Sequence, residues 1–233
     1  RIPENSVLSH DLLEGLMGRA GLVSDITLIE DYPQNYFIQI MRQRRWIRGD
    51  WQLLPWLFQP KRFGVTFSLI DRWKMFDNLR RSLLAPALLL IFILGLIFLP
   101  TLAKLWTAVI LISLGIPVLT GTARGVLQTL SGEYPNKAFR PLIWDILRWL
   151  LAVAFLPYEA YISIDAIFTT LYRLFISRKN LLRWTTAAQS AKVFGLQSRR
   201  NEAWQKMGAA TLLALLLILG VQLVFNPVSY THL

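Results

Sequence analysis

Gln39-Ile40-Met41-Arg42-Gln43-Arg44-Arg45-Trp46-Ile47-Arg48-Gly49-Asp50-Trp51 is the stretch from which the rest of the chain can be read. Residues three and four apart share a helix face, so a helix here gathers Arg42, Arg45 and Trp46 on one patch, with Gln39 a turn earlier. The same spacing gives Ile40, Ile47, Trp51 and Leu54 a separate apolar stripe. Guanidiniums pair bidentately with phosphate, so arginines beside an indole suit a phosphorylated or sugar-nucleotide ligand. A basic amphipathic helix lying on an anionic membrane surface carries the same pattern, and the stretch alone leaves both readings open.

The flanks favour a membrane setting. The chain is 54% hydrophobic with a net charge of +11 over 233 residues, a combination natural to membrane proteins with basic cytoplasmic flanks. Nucleic acid is not an expected partner, because the basic residues crowd beside apolar runs and no base-reading motif appears. With no cysteine there is no disulfide framework, thiol nucleophile or cysteine metal site. His10 and His232 are the only histidines, too few for a histidine-built metal site.

Three uncharged runs follow: Ser82 to Ala103, Leu105 to Ala123, and Met207 to Phe225, of 22, 19 and 19 residues. Each approaches the roughly 20 residues a membrane helix needs. Residues 82–123 therefore read as a transmembrane hairpin turning at Pro100-Thr101, and 207–226 as a further span. Between them, 124–206 holds twelve Lys/Arg against five Asp/Glu. Its longest apolar run, Trp149 to Tyr158, is ten residues, too short to cross. Residues 141–177 are accordingly expected as interfacial or protein-buried helices, kinked at Pro157. Residues 36–81 read as amphipathic interfacial helices broken near Pro55. Residues 1–35 read as globular: a short helix N-capped by Ser9 with Asp11 and Glu14 in its first turn, then a strand over Leu22 to Ile29. Arg1-Ile2-Pro3 shows no initiating Met and no signal peptide, so the chain is expected to be a fragment. The tail 227–233 looks like translated adapter sequence.

Arg42-Gln43-Arg44-Arg45-Trp46 fits the (Gln/Arg)-x-x-Arg-Trp signature of processive, inverting membrane glycosyltransferases such as cellulose and hyaluronan synthases. Longer words resemble the cyclic β-1,2-glucan synthases: Leu8-Ser9-His10-Asp11-Leu12-Leu13-Glu14-Gly15, Arg45-Trp46-Ile47-Arg48-Gly49-Asp50-Trp51-Gln52 and Phe155-Leu156-Pro157-Tyr158. So do Ser163-Ile164-Asp165-Ala166 and Leu182-Arg183-Trp184-Thr185-Thr186-Ala187-Ala188-Gln189. The likeness runs from about Pro3 past Gln189.

The resemblance implies a mostly α membrane protein: the C-terminal remnant of a GT-A α/β glycosyltransferase domain, then interfacial and transmembrane helices. It implies transfer of glucose from UDP-glucose to a growing glucan in the bacterial inner membrane, with the transferase face cytoplasmic. Inverting transfer needs a base for the acceptor hydroxyl and cations for the departing diphosphate. By resemblance Asp11 stands at the base position, although His10 replaces the acidic neighbour found in the wider family. Glu30-Asp31 is a rival acidic pair in a loop-like stretch, and Glu14 either orients an acceptor or only completes its helical turn. Arg42, Arg45 and Trp46 match the motif position by position and would bind the diphosphate or line the acceptor mouth. The Asp-x-Asp that would hold Mg or Mn is absent from these residues and is expected upstream, so the chain alone should be inactive. A synthase of another polysaccharide, or a non-catalytic transport or scaffold module, are the competing readings. An upstream Asp-x-Asp after a predicted strand would separate the enzymes from the module.

Overall fold

The computed structural model describes residues 6–7, 10–18, 21, 23–29, 36–131 and 140–183, and positions 208, 212, 215, 216, 219 and 220 of the last apolar run. The chain divides into two compact units, residues 1–84 with 160–206, and residues 85–159 with 207–233.

In the first unit α1 (Asp11–Gly18) precedes α2 (Tyr36–Gln52) and the short α3 (Leu54–Phe58). Leu53 is the break between α2 and α3, its N–H reaching back only to Asp50 O at 3.1 Å. Pro55 then falls in the first turn of α3, where a missing N–H costs nothing. A 3₁₀ turn, Pro60–Phe63, ends on Gly64 at φ +67°, a left-handed conformation that favours glycine. Helix α4 (Leu69–Ser82) opens on a reciprocal cap, with Ser68 Oγ accepting from Asp71 N–H and Asp71 Oδ2 from Ser68 N–H. These elements close over Leu13, Leu53, Trp56, Leu57, Met75 and Leu79. Trp56 stacks on Phe63 with centroids 4.0 Å apart, and Trp51 Nε1 donates to Ser82 Oγ at 2.9 Å. A second core joins Ile47 to Ala166 and Ile167.

The strand expected over Leu22 to Ile29 does not form: residues 23–29 are irregular, with Leu28 and Ile29 86% and 96% exposed. A strand is stable only when another pairs with its backbone, and no strand occurs among the described residues. Alternating apolar residues therefore do not suffice here.

In the second unit α5 (Leu84–Phe98) meets α6 (Ala103–Leu130) through a 3₁₀ turn, Pro100–Leu102. Leu88, Ile110 and Leu156 pack together, and Trp149 Nε1 donates to Leu111 O at 3.0 Å. Many outward residues are large and apolar, Leu90, Ile97, Phe98, Ile112 and Leu119 among them, as lipid contact requires. At ~1.5 Å per residue, the 15 residues of α5 fall short of a hydrocarbon core of about 30 Å.

Helix α7 (Arg140–Leu171) runs unbroken through Pro157 and continues as a π-helix, Tyr172–Ser177. Two helical segments, Pro100–Leu130 and Leu142–Ser177, are long and apolar enough to cross a membrane; α4 and α5, bent by 46°, make a third if counted together. The second of these is longer than the ten-residue run Trp149 to Tyr158 suggests, so by length and composition a crossing stands beside the interfacial or buried reading of 141–177. Counting uncharged runs treated each charge as a stop, yet Arg148 is paired to Asp145 at 3.0 Å and Asp165 to Arg44 at 2.6 Å, which lowers the cost of carrying them in an apolar helix. The described positions of the 207–226 run are helical and mostly exposed; most of that run, and the tail, lie outside the described residues.

Candidate functional site

Helix α2 presents three stripes, each tied up differently. Ile40 and Ile47 are buried, with Trp51 half-buried beside them, giving the apolar stripe that the spacing predicts. Next to it, Arg44, Arg48 and Gln52 recur every four residues and are all engaged. Arg44 Nε donates to Asp165 Oδ2 at 2.7 Å. Arg48, 4% exposed, donates to the carbonyls of Arg183 at 2.9 Å and Leu181 at 3.1 Å, and Gln52 Nε2 also reaches Leu181 O at 3.0 Å. Burial first, then the neighbouring Arg173 and Arg44, push the Arg48 guanidinium down to about 10, with Asp165 acting the other way; it remains cationic at neutral pH.

The third stripe carries Arg42, Trp46 and Asp50 at the same spacing, flanked by Arg45 and Gly49. The Arg42 guanidinium carbon lies 4.5 Å from the Trp46 ring centroid, a cation–π contact, while Trp46 remains 45% exposed. Gln39 Oε1 and Arg42 Nε, one turn apart, are buried without a hydrogen-bond partner. Such atoms cost free energy unless something pairs with them.

At the lower end of this stripe sits the start of α1. His10 occupies the capping position expected for Ser9, which itself lies outside the described residues. The Leu13 N–H faces His10 Nδ1 at 3.4 Å, and His10 N–H donates to Glu14 Oε1 at 3.1 Å. Glu14 thus closes its own turn, and Asp11, next to His10, is exposed. His10 Nε2 lies 3.0 Å from Asp50 Oδ1, so the helix bearing Asp11 docks on the face of α2 that carries Arg42 and Trp46. Asp50 stands one turn, ~6 Å, beyond Trp46. Glu30 and Asp31 lie outside the described residues. In the sequence His10 marks only a departure from the wider family and Asp50 carries no assigned role; their 40-residue separation hides the contact, though both stand in words quoted for the family likeness. Among the described residues no group of three or more His, Cys, Asp or Glu could hold a metal ion.

Fold and site together define a helical membrane protein whose basic, aromatic helix rests beside a capped acidic turn. No protein-family model matches the chain. Over 194 residues, 81% of its length, it is 43% identical to the cyclic β-(1,2)-glucan synthase NdvB of Rhizobium meliloti (strain 1021), and it spans 7% of that protein's length. The resemblance to the cyclic glucan synthases is thereby borne out.

Proposed function

We propose that the chain is a segment of a membrane glycosyltransferase that extends a β-1,2-glucan with glucose from UDP-glucose, inverting at the anomeric carbon. The observation that carries this reading is the 43% identity to a cyclic glucan synthase across most of the chain. In this reading Asp11 accepts the proton of the acceptor hydroxyl as that oxygen attacks the anomeric carbon and the diphosphate leaves. Its exposure at the head of α1 supports the role, since a general base has to reach its proton within about 3 Å.

Arg42 and Arg45 would meet the charge developing on the diphosphate, and Trp46, held by Arg42 with much of its ring open, would stack on a sugar or line the acceptor mouth. Glu14 serves best as part of the cap. The described residues do not fit a divalent cation, and no step above passes through one. The partners in this reading are UDP-glucose, the glucan acceptor and the bilayer, with the transferase face on the cytoplasmic side of the bacterial inner membrane. The chain carries no Asp-x-Asp, so in this reading it does not turn over by itself.

The test is a chimera: this segment replaces its counterpart in the Rhizobium synthase, and glucose incorporation from labelled UDP-glucose is measured in membranes. Activity is expected with the native segment, and a loss of roughly 10²–10⁴-fold with Asp11→Asn, with membrane insertion unchanged. A stably inserted, inactive chimera, or full turnover by Asp11→Asn, would overturn the assignment.

A further inference from the structure

We propose that His10 is a positioning residue for Asp11, held from the far side by Asp50 and Asn78. This deepens the preceding section and rests on its reading of Asp11 as the base.

The hydrogen bonds fix every orientation in the chain of contacts. A backbone N–H only donates, so the Leu13 N–H facing His10 Nδ1 at 3.4 Å makes Nδ1 the acceptor. The proton of the neutral imidazole therefore sits on Nε2, from which it is donated to Asp50 Oδ1 at 3.0 Å. Asp50 Oδ1 also accepts from Asn78 Nδ2 at 2.8 Å. The Asn78 amide is oriented in turn, because Arg81 Nη2, a donor only, binds its Oδ1. The imidazole at the head of α1 and Asn78 of α4 thus meet on one oxygen of α2, Asp50 Oδ1, and the side chains of His10 and Asp50 are only 9% and 15% exposed.

The ring is held sterically as well. A Cβ at Gly49 would come within 3.1 Å of His10 Cδ2, so glycine at this point of α2 lets the edge of the imidazole approach the helix. Both ring nitrogens are used and one edge is packed, which leaves the residue little rotational freedom. Its backbone is fixed too, because His10 N–H donates to Glu14 Oε1 and His10 O accepts from Glu14 N–H at 2.9 Å. Asp11 follows directly in the chain, so its carboxylate is aimed by a residue clamped at backbone and side chain. Displacements of about 1 Å in a reacting group can cost on the order of 10² in rate, which is the scale at which such a clamp matters.

Capping and positioning are separable. Asn is a strong capping residue but too short to reach Asp50 in place of an imidazole, so His10→Asn keeps the cap and cuts the link. Asp50→Ala keeps the cap and frees the ring. In the chimeric synthase each change is expected to lower kcat by roughly 10- to 100-fold, with KM for UDP-glucose within about twofold of the parent, and the double variant should be no worse than either single. If His10 merely capped α1, His10→Asn would turn over at the parental rate, and that result overturns the proposal. So does a loss expressed mainly in KM. Should Asp50→Ala fail to accumulate, Gly49→Ala, which crowds the ring, takes its place with the same expectation. Asp11→Asn is measured alongside. A dead Asp11→Asn with a fully active His10→Asn refutes positioning alone, whereas an active Asp11→Asn refutes both assignments.

Discussion

Arg48 is the residue through which α2 holds the chain that leaves α7, and replacing it with Met should loosen that chain by a calculable amount. Its guanidinium caps the carbonyls of Leu181 and Arg183 just after the left-handed residues Arg178 and Asn180. Met retains length and apolar bulk but cannot donate. Leu181 O keeps Gln52 Nε2, so the loss falls on the part-buried bond to Arg183 O, and a hydrogen bond from a charged donor contributes about 1.5–3 kcal/mol. Part of this is returned, because burial and the nearby Arg173 and Arg44 already disfavour a cation at position 48. A net loss of about 1–2 kcal/mol raises the local opening constant roughly 5- to 30-fold. Hydrogen exchange over 178–183, followed by mass spectrometry on the chimeric synthase in nanodiscs, reads this directly. Gln52→Leu should do less, because Arg48 still serves Leu181 O. The double variant orphans both carbonyls and should exceed the sum of the singles, with a coupling of about 0.5–3 kcal/mol. Exchange in Arg48→Met within twofold of the parent, or strictly additive effects, would refute the clamp.

Three further outcomes are expected. Gly95→Ala places a methyl 2.5 Å from Trp106 Cγ, so it should destabilise the α5–α6 pair by about 1–3 kcal/mol, read as a lower melting temperature in detergent; a neutral result would mean the two helices do not approach so closely. Arg45→Lys keeps the charge but loses the planar fork, so glucan synthesis should fall while insertion stays normal, and unchanged activity would favour a purely membrane-surface role for that side chain. The chain has no cysteine, so single cysteines at Ser131 and Ser198 can be labelled from outside intact cells. Both should be protected, because the basic stretch 124–206 is read as cytoplasmic; labelling of Ser131 would sink the hairpin, and labelling of Ser198 alone would show that α7 crosses.

How far the sequence could be read depended on the range of the interaction. The stripes of α2 follow from spacing alone, because a helix converts a period of three to four into a face, and Ile40 and Ile47 lie where that rule puts them. The expected strand at 22–29 failed for the opposite reason: the local pattern was present, but a strand also needs a partner that no local pattern supplies. The charges of α7 show the same limit in reverse. Asp145, Arg148 and Asp165 read as interruptions while each is considered singly, and cease to interrupt once Asp145 meets Arg148 within the helix and Asp165 meets Arg44, 121 residues away. A sequence rule that scores charges one at a time counts every such pair as two penalties.

The site divides along the same line. Arg42 and Trp46 are four apart and were legible as a pair; His10 and Asp50 are forty apart and were not. The density of the word Arg45-Trp46-Ile47-Arg48-Gly49-Asp50-Trp51-Gln52 did carry a signal, since a helix with one buried face has no need of eight specified residues. Arg48 and Gln52 bind a departing chain, Asp50 and Gly49 seat an arriving histidine, and Trp51 bonds Ser82. Five of the eight residues thus meet partners on other parts of the chain. The one large side chain in the word left substantially open is Trp46, and in the proposed reading it is the one that meets a ligand rather than a neighbour.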